Sequence, residues 1–469
     1  MKKIVVTILI SVLSVFASQP IKLDMKKTVS MAIENNEDIL TAEKELEKSE
    51  YRYDEAFSGA LPRIDAKITY LRNLYSSEIT NMSYALTGLG NQVTNINNYI
   101  ASTDPNYPGK EIPLKPMPEK DVEFMKDNSL SWEINLIQPI WLGGKVGTAV
   151  EIAEIYEKLS QESYKLSKDQ VALKIMKLYN SVLLAKEAYK VMKIIKSDAN
   201  KNLENIENMF NNGLVSEYDF VKAKSRVLAL DPKVLDFENR FILAKNSLKS
   251  EIGLDFDRAI ELTGSLKNGS NPEVDENFKE LVEKNRREIK LMEYKISILD
   301  ENVKIKRSGY YPNILAIGNY TFKSQNDDFG DTFEKNYGVN AISVGLTANW
   351  SIFSGGETSA KVDQAQVDMK KARLELQKTI RLLKLQAQQN MQNVKLGIRE
   401  VESQEEYLKE AKKALAIANT RFNNDLGTQL EVIDAQTKLE QARLNYIKAE
   451  YNLRNYNLDY LYSIGKIKL

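Results

Sequence analysis

Residues 210–219 read FNNGLVSEYD and residues 422–431 read FNNDLGTQLE, so the chain contains nearly the same short turn twice. We call them the first turn and the second turn. A Gly-Gly pair precedes each turn at the same distance, at 143–144 and at 355–356, and every one of these positions recurs after 212 residues. Such a fixed offset indicates that one architecture has been duplicated within the chain.

The duplication predicts two halves and a connection between them. We expect the first half to comprise residues 18–252 and the second half residues 276–469, with a turn-rich linker at 253–275. Ahead of the Gly-Gly pairs the offset is 250, as Pro62 and Pro312 show. The first half therefore carries an insertion of 38 residues, the difference between the two offsets, between Pro62 and its Gly-Gly pair.

The N-terminus has the features of a secretory signal peptide. Lys2 and Lys3 precede an apolar run over residues 4–16, and a small residue, Ala17, follows. We expect residues 1–17 to be removed on export. The apolar run is too short for an ordinary membrane span, and no other run of 18 apolar residues is present. An exported chain of this kind could cross a membrane only as a β-barrel.

Composition excludes several classes of function. The 469 residues include 65 basic and 65 acidic side chains, so no net charge attracts the chain to nucleic acid. The sequence has no Cys and no His, which removes thiolate nucleophiles, imidazole bases and the usual zinc ligands. It also lacks a nucleophile elbow and a Gly-rich phosphate loop. We therefore expect no enzyme activity, no cofactor and no resident metal.

Alternation of apolar and polar residues predicts four strands, two in each half. They lie at 64–70 and 130–140 in the first half and at 314–322 and 342–352 in the second. Their length and their terminal aromatic residues fit tilted strands that cross a bilayer, although a soluble sandwich would show the same alternation. The export signal favours the barrel. Four strands cannot close a barrel, whereas three copies would supply twelve.

The remaining segments predict long helices. Residues 24–57 and 276–307 each read as one charged helix, and a helix of roughly 66 residues, ~100 Å long, follows each Gly-Gly pair. Apolar residues recur along the long helices at steps of four and three, which is typical of a coiled coil. Another helix of about 40 residues follows each turn, where Ser216 and Thr428 can cap it. Each half thus predicts an antiparallel helical hairpin.

The order of these elements resembles the TolC family of outer membrane efflux proteins. The segments that carry the resemblance are ALPRIDAKITY, WLGGK, YYPNILAIGNY, IFSGG and FNNDLGTQLEVIDAQTKLEQARLNY. It extends over nearly all of the mature chain. The resemblance implies a mainly α fold, a homotrimer in which four strands per chain form a 12-stranded β-barrel in outer membrane lipid and long antiparallel coiled-coil helices form a periplasmic tunnel. It further implies a passive exit duct for efflux or type I secretion, served by a periplasmic adaptor and an inner-membrane transporter.

The resemblance also implies a gate at the second turn. In this family acidic side chains narrow the tunnel there, and the matching residues are Glu431 and Asp434. Three copies would place them in two carboxylate rings, which attract cations. A solvated acidic helix start explains the same pair. The first half has Asp219 and Lys222 at the matching positions, so the pair of acids is confined to the second turn, which favours a gate.

Adaptor docking is the second role that the resemblance assigns to the turns. The residues implied are Gly213, Leu214, Ser216, Leu426, Gly427 and Thr428. Turn formation alone would also account for these residue types. The chain departs from well-known members of the family at Asp425, Gly427 and Phe422, where Gly, Arg or Tyr can stand. The closed state must therefore be latched differently from theirs.

Two features remain open at the level of sequence. Residues 81–121, within the insertion, are rich in Asn, Tyr and Pro, and we interpret them as an external loop over the pore mouth. An exported coiled-coil adhesin or envelope structural protein would explain the helices but not the duplicated strand pairs. Drugs, a secreted polypeptide and metal ions all fit this sequence as cargo.

Overall fold

A computed structural model describes residues 20–74, 78–79, 92–96, 98–100, 102–103, 122–123, 126–266, 271–334 and 338–467. The predicted signal peptide and most of the predicted external loop at 81–121 lie outside the described residues. The main helices are α1 (Met25–Asn35), α2 (Glu37–Ser58), α3 (Lys145–Asn211), α4 (Glu217–Glu251), α5 (Phe278–Asn285), α6 (Arg287–Arg307), α7 (Glu357–Asn423) and α8 (Gln429–Ser463). The main strands are β1 (Ile21–Leu23), β2 (Arg63–Arg72), β3 (Asn128–Trp141), β4 (Ile260–Leu262), β5 (Asn313–Asn326) and β6 (Gly338–Asn349).

The chain separates into two compact units. One unit contains residues up to 54, 151–303 and from 363 onward, and the other contains 55–150 and 304–362. Each unit therefore draws on both halves of the sequence repeat. The first is helical, and the second holds the four-stranded sheet. Among the described helices, none is both long enough and apolar enough to cross a bilayer.

The four predicted strands form one antiparallel sheet in the order β2-β3-β5-β6. A register shift between Pro139 and Trp141 marks a bulge, which suits a proline because it has no N–H to donate. The prediction extended β6 too far, since the strand ends at Asn349. Trp350 follows the last residue of the strand, and its indole N–H donates to the Tyr310 carbonyl at 3.0 Å.

The two long helices are present as predicted. Each of α3 and α7 has 67 residues, and the Gly-Gly pair before each has positive φ angles between 61° and 86°. Left-handed backbone of this kind favours glycine. At Gly143 a Cβ would also lie 2.9 Å from the Ser308 carbonyl, so the turn has no room for a side chain. The apolar stripe is buried at Val171, Ile175 and Val182.

The two shorter charged helices are each broken, which the sequence did not predict. Asn36 is extended (φ −74°, ψ 129°) between α1 and α2, and its amide donates to the Glu251 carbonyl at 3.1 Å. Arg286 is extended (φ −73°, ψ 121°) between α5 and α6 and donates to Glu288 and to the Tyr462 carbonyl. In both places a hydrogen bond to a carbonyl near the C-terminal end of another helix stabilises the extended residue, so neither position needs Gly or Pro.

The helices after the turns are also shorter than predicted, with 35 residues each instead of about 40. Gly253 and Gly465, both with positive φ, end them. A Cβ at Gly253 would lie 2.8 Å from the Cβ of Asn35, so the helix end packs tightly there. Helix ends in left-handed glycine are a common C-terminal motif.

The largest apolar core of the described residues includes Leu248 near the end of α4. There the parallel pair of β1 and β4 packs with Tyr179 and Leu248.

Candidate functional site

The two turns reverse the chain with the same backbone. Gly213 and Asp425 occupy matched positions and have φ angles of 72° and 58°. The amide of the next residue, Leu214 or Leu426, donates at 2.9 Å to the carbonyl five residues earlier. Asp is among the few residues other than Gly that adopt left-handed backbone as single residues. The departure from the family at Asp425 therefore leaves the turn intact.

Both predicted caps are confirmed. The Ser216 hydroxyl accepts from the Asp219 amide at 3.2 Å, and the Thr428 hydroxyl accepts from the Glu431 amide at 3.3 Å. An acidic residue three positions after the cap is the pattern of a capping box. Glu431 thus lies in the first turn of α8 for a structural reason as well as for any role in a pore.

A cation that the sequence analysis missed lies beside Glu431. The Arg421 guanidinium is 3.5 Å from the Glu431 carboxylate, measured from Nε to Oε2, and it donates to the Leu426 carbonyl at 2.8 Å. A Cβ on Gly427 would lie 3.0 Å from that carboxylate oxygen and 3.1 Å from Arg421 Cβ. Gly427 therefore leaves the space in which the pair forms. We call Arg421, Glu431 and the Leu426 carbonyl the Arg421 clamp.

The second predicted gate residue has a cation of its own. Asp434 Oδ2 is 2.7 Å from Lys438 Nζ, one helical turn later, and both side chains are about 60% exposed. The hydrogen bond that Lys438 donates to the Asp434 carboxylate raises the pKa of Lys438. In the single chain each of the two carboxylates predicted to form the gate is therefore paired with a neighbouring cation. Exposed pairs of this kind contribute little to stability, so both carboxylates can exchange their partners.

The predicted docking residues Gly213, Leu214, Ser216, Leu426, Gly427 and Thr428 lie in the two turns. Leu214 and Leu426 are each 69% exposed. Tyr218 and Leu430, four residues further along, are also exposed, so each turn presents a pair of large apolar side chains. Neither Tyr218 nor Leu430 was predicted from the sequence. The signal was available, because each is a large apolar residue two positions after a predicted docking residue, Ser216 or Thr428.

A second unpredicted cluster joins the two halves above the turns. Arg226 on α4 donates to the Thr437 hydroxyl at 2.9 Å and lies 3.7 Å from the Glu440 carboxylate, both on α8. Arg443 on α8 reaches Asp198 on α3 at 3.5 Å. Arg226 and Glu440 are 17% and 13% exposed. Burial lowers the pKa of Arg226, and the Glu440 charge opposes that shift. No local pattern in the sequence signals these pairs.

The apolar contacts beside this cluster also cross between the halves. Ile447 of α8 is buried against Ala188 of α3, and Leu184 packs on the same group. Ile195 lines a small cavity together with Leu439 and Glu440. We call these contacts, with the Arg226 cluster, the internal seam.

Among the described residues, no group of three or more acidic side chains is arranged to hold a metal ion.

Comparison with known proteins extends these observations. The profile of the family described as outer membrane efflux protein matches residues 118–254 and 280–459, which is more than half of the chain. Outer membrane protein TolC of Vibrio cholerae is 22% identical over 343 residues, covering 72% of this chain and 76% of that protein. The alkaline protease secretion protein AprF of Pseudomonas aeruginosa is 21% identical over 313 residues, covering 64% of this chain and 63% of that protein.

The fold is shared with a solved channel. The Campylobacter jejuni CmeC outer membrane channel superposes with a TM-score of 0.70 at 17% sequence identity. The match covers 94% of this chain and 85% of that one. At this identity the likeness concerns the fold, and it includes both the helices and the sheet of the described chain.

Proposed function

The chain belongs to the outer membrane efflux protein family, and from that membership we propose how it forms a gated duct. The protein is an outer membrane channel that extends into the periplasm and serves as the exit duct of an efflux or secretion system. Its family is one of transport proteins, not of enzymes. The observation that carries the proposal is that the family profile matches both halves of the chain, each of which contains a helix of 67 residues.

We infer that three copies close one 12-stranded β-barrel. Support comes from the sheet of a single chain, in which the outer strands β2 and β6 each pair with one neighbour among the described residues and have a free edge there. Free edges are normally paired or covered in folded proteins. Val344 and Leu346 of β6 are 85% and 76% exposed, as a lipid-facing surface requires. Closure by three copies would pair every edge and leave these side chains in the bilayer.

The gate proposal assigns separate tasks to the two acidic positions. Asp434 and Glu431 of three copies would form two carboxylate rings at the periplasmic end of the tunnel. Arg421 would hold the second turn in its closed shape, since it bonds both Glu431 and the Leu426 carbonyl. Some members of the family have an Arg at the position of Gly427. In this chain Arg421, at the end of α7, would supply the positive charge of the clamp.

The two turns are the proposed contact for the periplasmic adaptor, which links the duct to its inner-membrane transporter. Support comes from the exposed apolar pairs, Leu214 with Tyr218 and Leu426 with Leu430. Exposed apolar patches often mark protein interaction sites. The repeat halves at 18–252 and 276–469, preceded by a signal peptide at 1–17, remain part of the proposal.

Single-channel conductance in a planar bilayer under a salt gradient tests this function. We expect small, stable, cation-preferring steps from the purified protein. Replacing Glu431 and Asp434 together by Ala should raise conductance or weaken cation preference. Asp219→Ala is the matched control in the first turn and should change neither. Folded protein that gives no steps would overturn the duct, and unchanged recordings from the double variant would remove only the gate.

A further inference from the structure

The four-stranded sheet has one apolar face and one polar face. Residues that stand directly opposite each other in an antiparallel ladder lie on the same side of the sheet, so the register sorts them into faces. One face carries the large exposed apolar side chains Ile64, Ile68, Trp132, Ile134, Leu136, Ile342, Val344 and Leu346. In the proposed barrel this face meets lipid, so the opposite face would line the lumen. We call the opposite face the lumen face.

Nearly all of the charged residues of the four strands lie on the lumen face. Of the six charged residues in β2, β3, β5 and β6, five belong to it, namely Arg63, Asp65, Lys67, Glu133 and Lys323. The sixth, Arg72, is the last residue of β2. The register therefore identifies the fixed charges that a solute inside the barrel would meet.

The charges on the lumen face do not balance. Arg63 Nε lies 2.9 Å from Asp65 Oδ2 on the same strand, so these two charges compensate each other. Glu133 of β3 has Lys67 of β2 directly opposite it in the ladder. Lys323 of β5 is left without an acid of its own. Within these four strands each chain thus contributes one cation in excess to the lumen face.

Lys323 stands in a neutral row of the sheet. The register aligns it with Ser131 on one side and with Val339 on the other, and its side chain is exposed. Glu133 is diagonal to Lys323 in the ladder, where Cβ atoms are about 7–8 Å apart. The same Glu133 faces Lys67 directly, at a Cβ distance of about 5 Å. The single acid is therefore closer to the other lysine, and the Lys323 charge is available to solutes.

We propose that Lys323 gives the barrel a positively charged lumen that favours anionic solutes. This inference rests on the proposed trimeric barrel, in which three copies would place three such lysines in one ring. Rings of charged side chains attract ions of the opposite sign. The barrel would then favour anions, whereas the two carboxylate rings proposed at the second turn attract cations. The duct would carry two selective regions of opposite sign.

The field of the lysine ring would extend to the axis of the lumen. Twelve strands spaced by ~4.8 Å and tilted by ~40° close a backbone barrel of roughly 24 Å in diameter. The four-carbon stem of a lysine, roughly 6 Å long, brings its ammonium to within about 6 Å of the axis. The Debye length is ~10 Å at ~0.1 M salt and ~3 Å at ~1 M. The preference for anions should therefore be clear at low salt and lost at high salt.

The proposed gate would mask this preference in the native duct. The narrowest part of a pore contributes most of its resistance and therefore most of its ion selectivity, and the gate is the proposed narrowing. Replacing Glu431 and Asp434 by Ala removes the charges of the gate. In that double variant the barrel contributes a larger share of the selectivity, so it is the background for the test.

The reversal potential of single channels in a planar bilayer under a salt gradient measures the preference. Added to the double-Ala background, Lys323→Gln should shift the reversal potential toward cation preference. Lys323→Glu should shift it about twice as far in the same direction, because it changes each side chain by two charges instead of one. Lys323→Arg keeps the charge and should give no shift. The shifts should disappear at ~1 M salt, where screening is strong.

A balanced change on the lumen face is the matched control. Lys67→Gln combined with Glu133→Gln removes one charge of each sign from every chain, so the reversal potential should stay the same. A shift from this control as large as that from Lys323→Gln would show that the excess charge does not set the preference, and it would overturn the inference. An equal shift from Lys323→Arg would do the same.

Conduction separates the failure of this inference from the failure of the proposed function. Stable steps with the same reversal potential before and after Lys323→Gln would overturn the charged lumen and leave the duct intact. Folded native protein that gives no steps would overturn the duct itself, and with it the lumen.

Discussion

The turn after α3 and the turn after α7 reverse the chain with the same hydrogen bonds, yet the residues that form the Arg421 clamp are not shared. Met209, Val215 and Asp219 in the first turn correspond to Arg421, Gly427 and Glu431 in the second. The first turn instead stacks Phe210 on Phe220, with ring centroids 5.4 Å apart. Duplication has kept the backbone, while the Arg421–Glu431 pair has no counterpart in the first turn, where Met209 replaces the Arg.

The comparison extends from the turns into the helices that follow them. The helix after the second turn is tied to the first half through Glu440, whereas the helix after the first turn presents Leu228 at the same position. Arg226 and Glu440 join these two helices to each other, while Leu228 remains 60% exposed on the helix after the first turn. Two helices with the same backbone and the same place in a repeat can therefore differ in what their faces contact, and single side chains decide the difference.

The largest effect is expected from Glu440→Leu, which gives the second helix the residue of the first. It leaves the Arg226 guanidinium largely buried without its counter-charge, and we expect the free energy of unfolding to fall by about 2–3 kcal/mol. Denaturant unfolding in detergent measures the change. The double variant with Arg226→Met and Glu440→Leu should recover most of the loss, since apolar residues can replace a buried pair. Equal loss in both variants would contradict this account.

A smaller effect is expected from Gly427→Val, which gives the second turn the valine of the first. The side chain would meet Glu431 Oε2 and Arg421 Cβ within about 3 Å. We expect a loss of about 1–2 kcal/mol as the Arg421 clamp is forced apart. Hydrogen exchange at the second turn should accelerate. The reciprocal control, Val215→Gly, should leave hydrogen exchange at the second turn unchanged. Slower hydrogen exchange at the second turn of Gly427→Val would refute the clamp.

The caps should respond alike, because the two turns share them. Ser216→Ala and Thr428→Ala each remove the hydroxyl that accepts the backbone amide of the third helical residue, Asp219 or Glu431, at a cost of about 1 kcal/mol. Thermal unfolding of the two variants compares them. Thr428→Ser keeps the oxygen and serves as the control. If only one of the two Ala variants lost stability, the same backbone geometry would not give the two caps the same free energy.

The smallest effect concerns pH. Asp434 raises the pKa of Lys438 above its ordinary value near 10.5, and the first turn has no such pair at its matching positions. A raised lysine pKa gives stabilisation that is fully present below the ordinary value and is lost as pH rises through the folded value. Nitrogen NMR of the lysine side chain should show a higher midpoint in the native protein than in Asp434→Asn. Identical midpoints would exclude the contact.

Much of the fold could be predicted because its signals are local. The alternation in four strands and the apolar stripe of the long helices both depend on neighbours within a few residues. The capping role of Ser216 and Thr428 was predictable for the same reason, as each bonds an amide three positions away. The resemblance then placed Glu431 and Asp434 at the start of α8, where the structure has them.

Other features could not be predicted, because their partners are distant in the chain. The extended backbone at Asn36 depends on the carbonyl of Glu251, and that at Arg286 depends on the carbonyl of Tyr462. Nothing in the adjoining sequence distinguishes these residues from ordinary polar helix positions. The clamp shows a shorter version of the same difficulty, since Arg421 meets Glu431 only after the turn has brought two helices together.

The strands, the long helices and the two capped turns follow from local sequence, because backbone hydrogen bonding and periodic burial act over short distances. The duplicated plan follows from residues that recur after 212 positions. The breaks in the shorter helices, the carboxylate that meets Arg421 and the faces that remain uncovered depend on how the halves pack. A side chain's burial and charge partners depend on segments up to about two hundred residues away, and only the packed chain brings Arg226 to Glu440 while leaving Leu228 exposed.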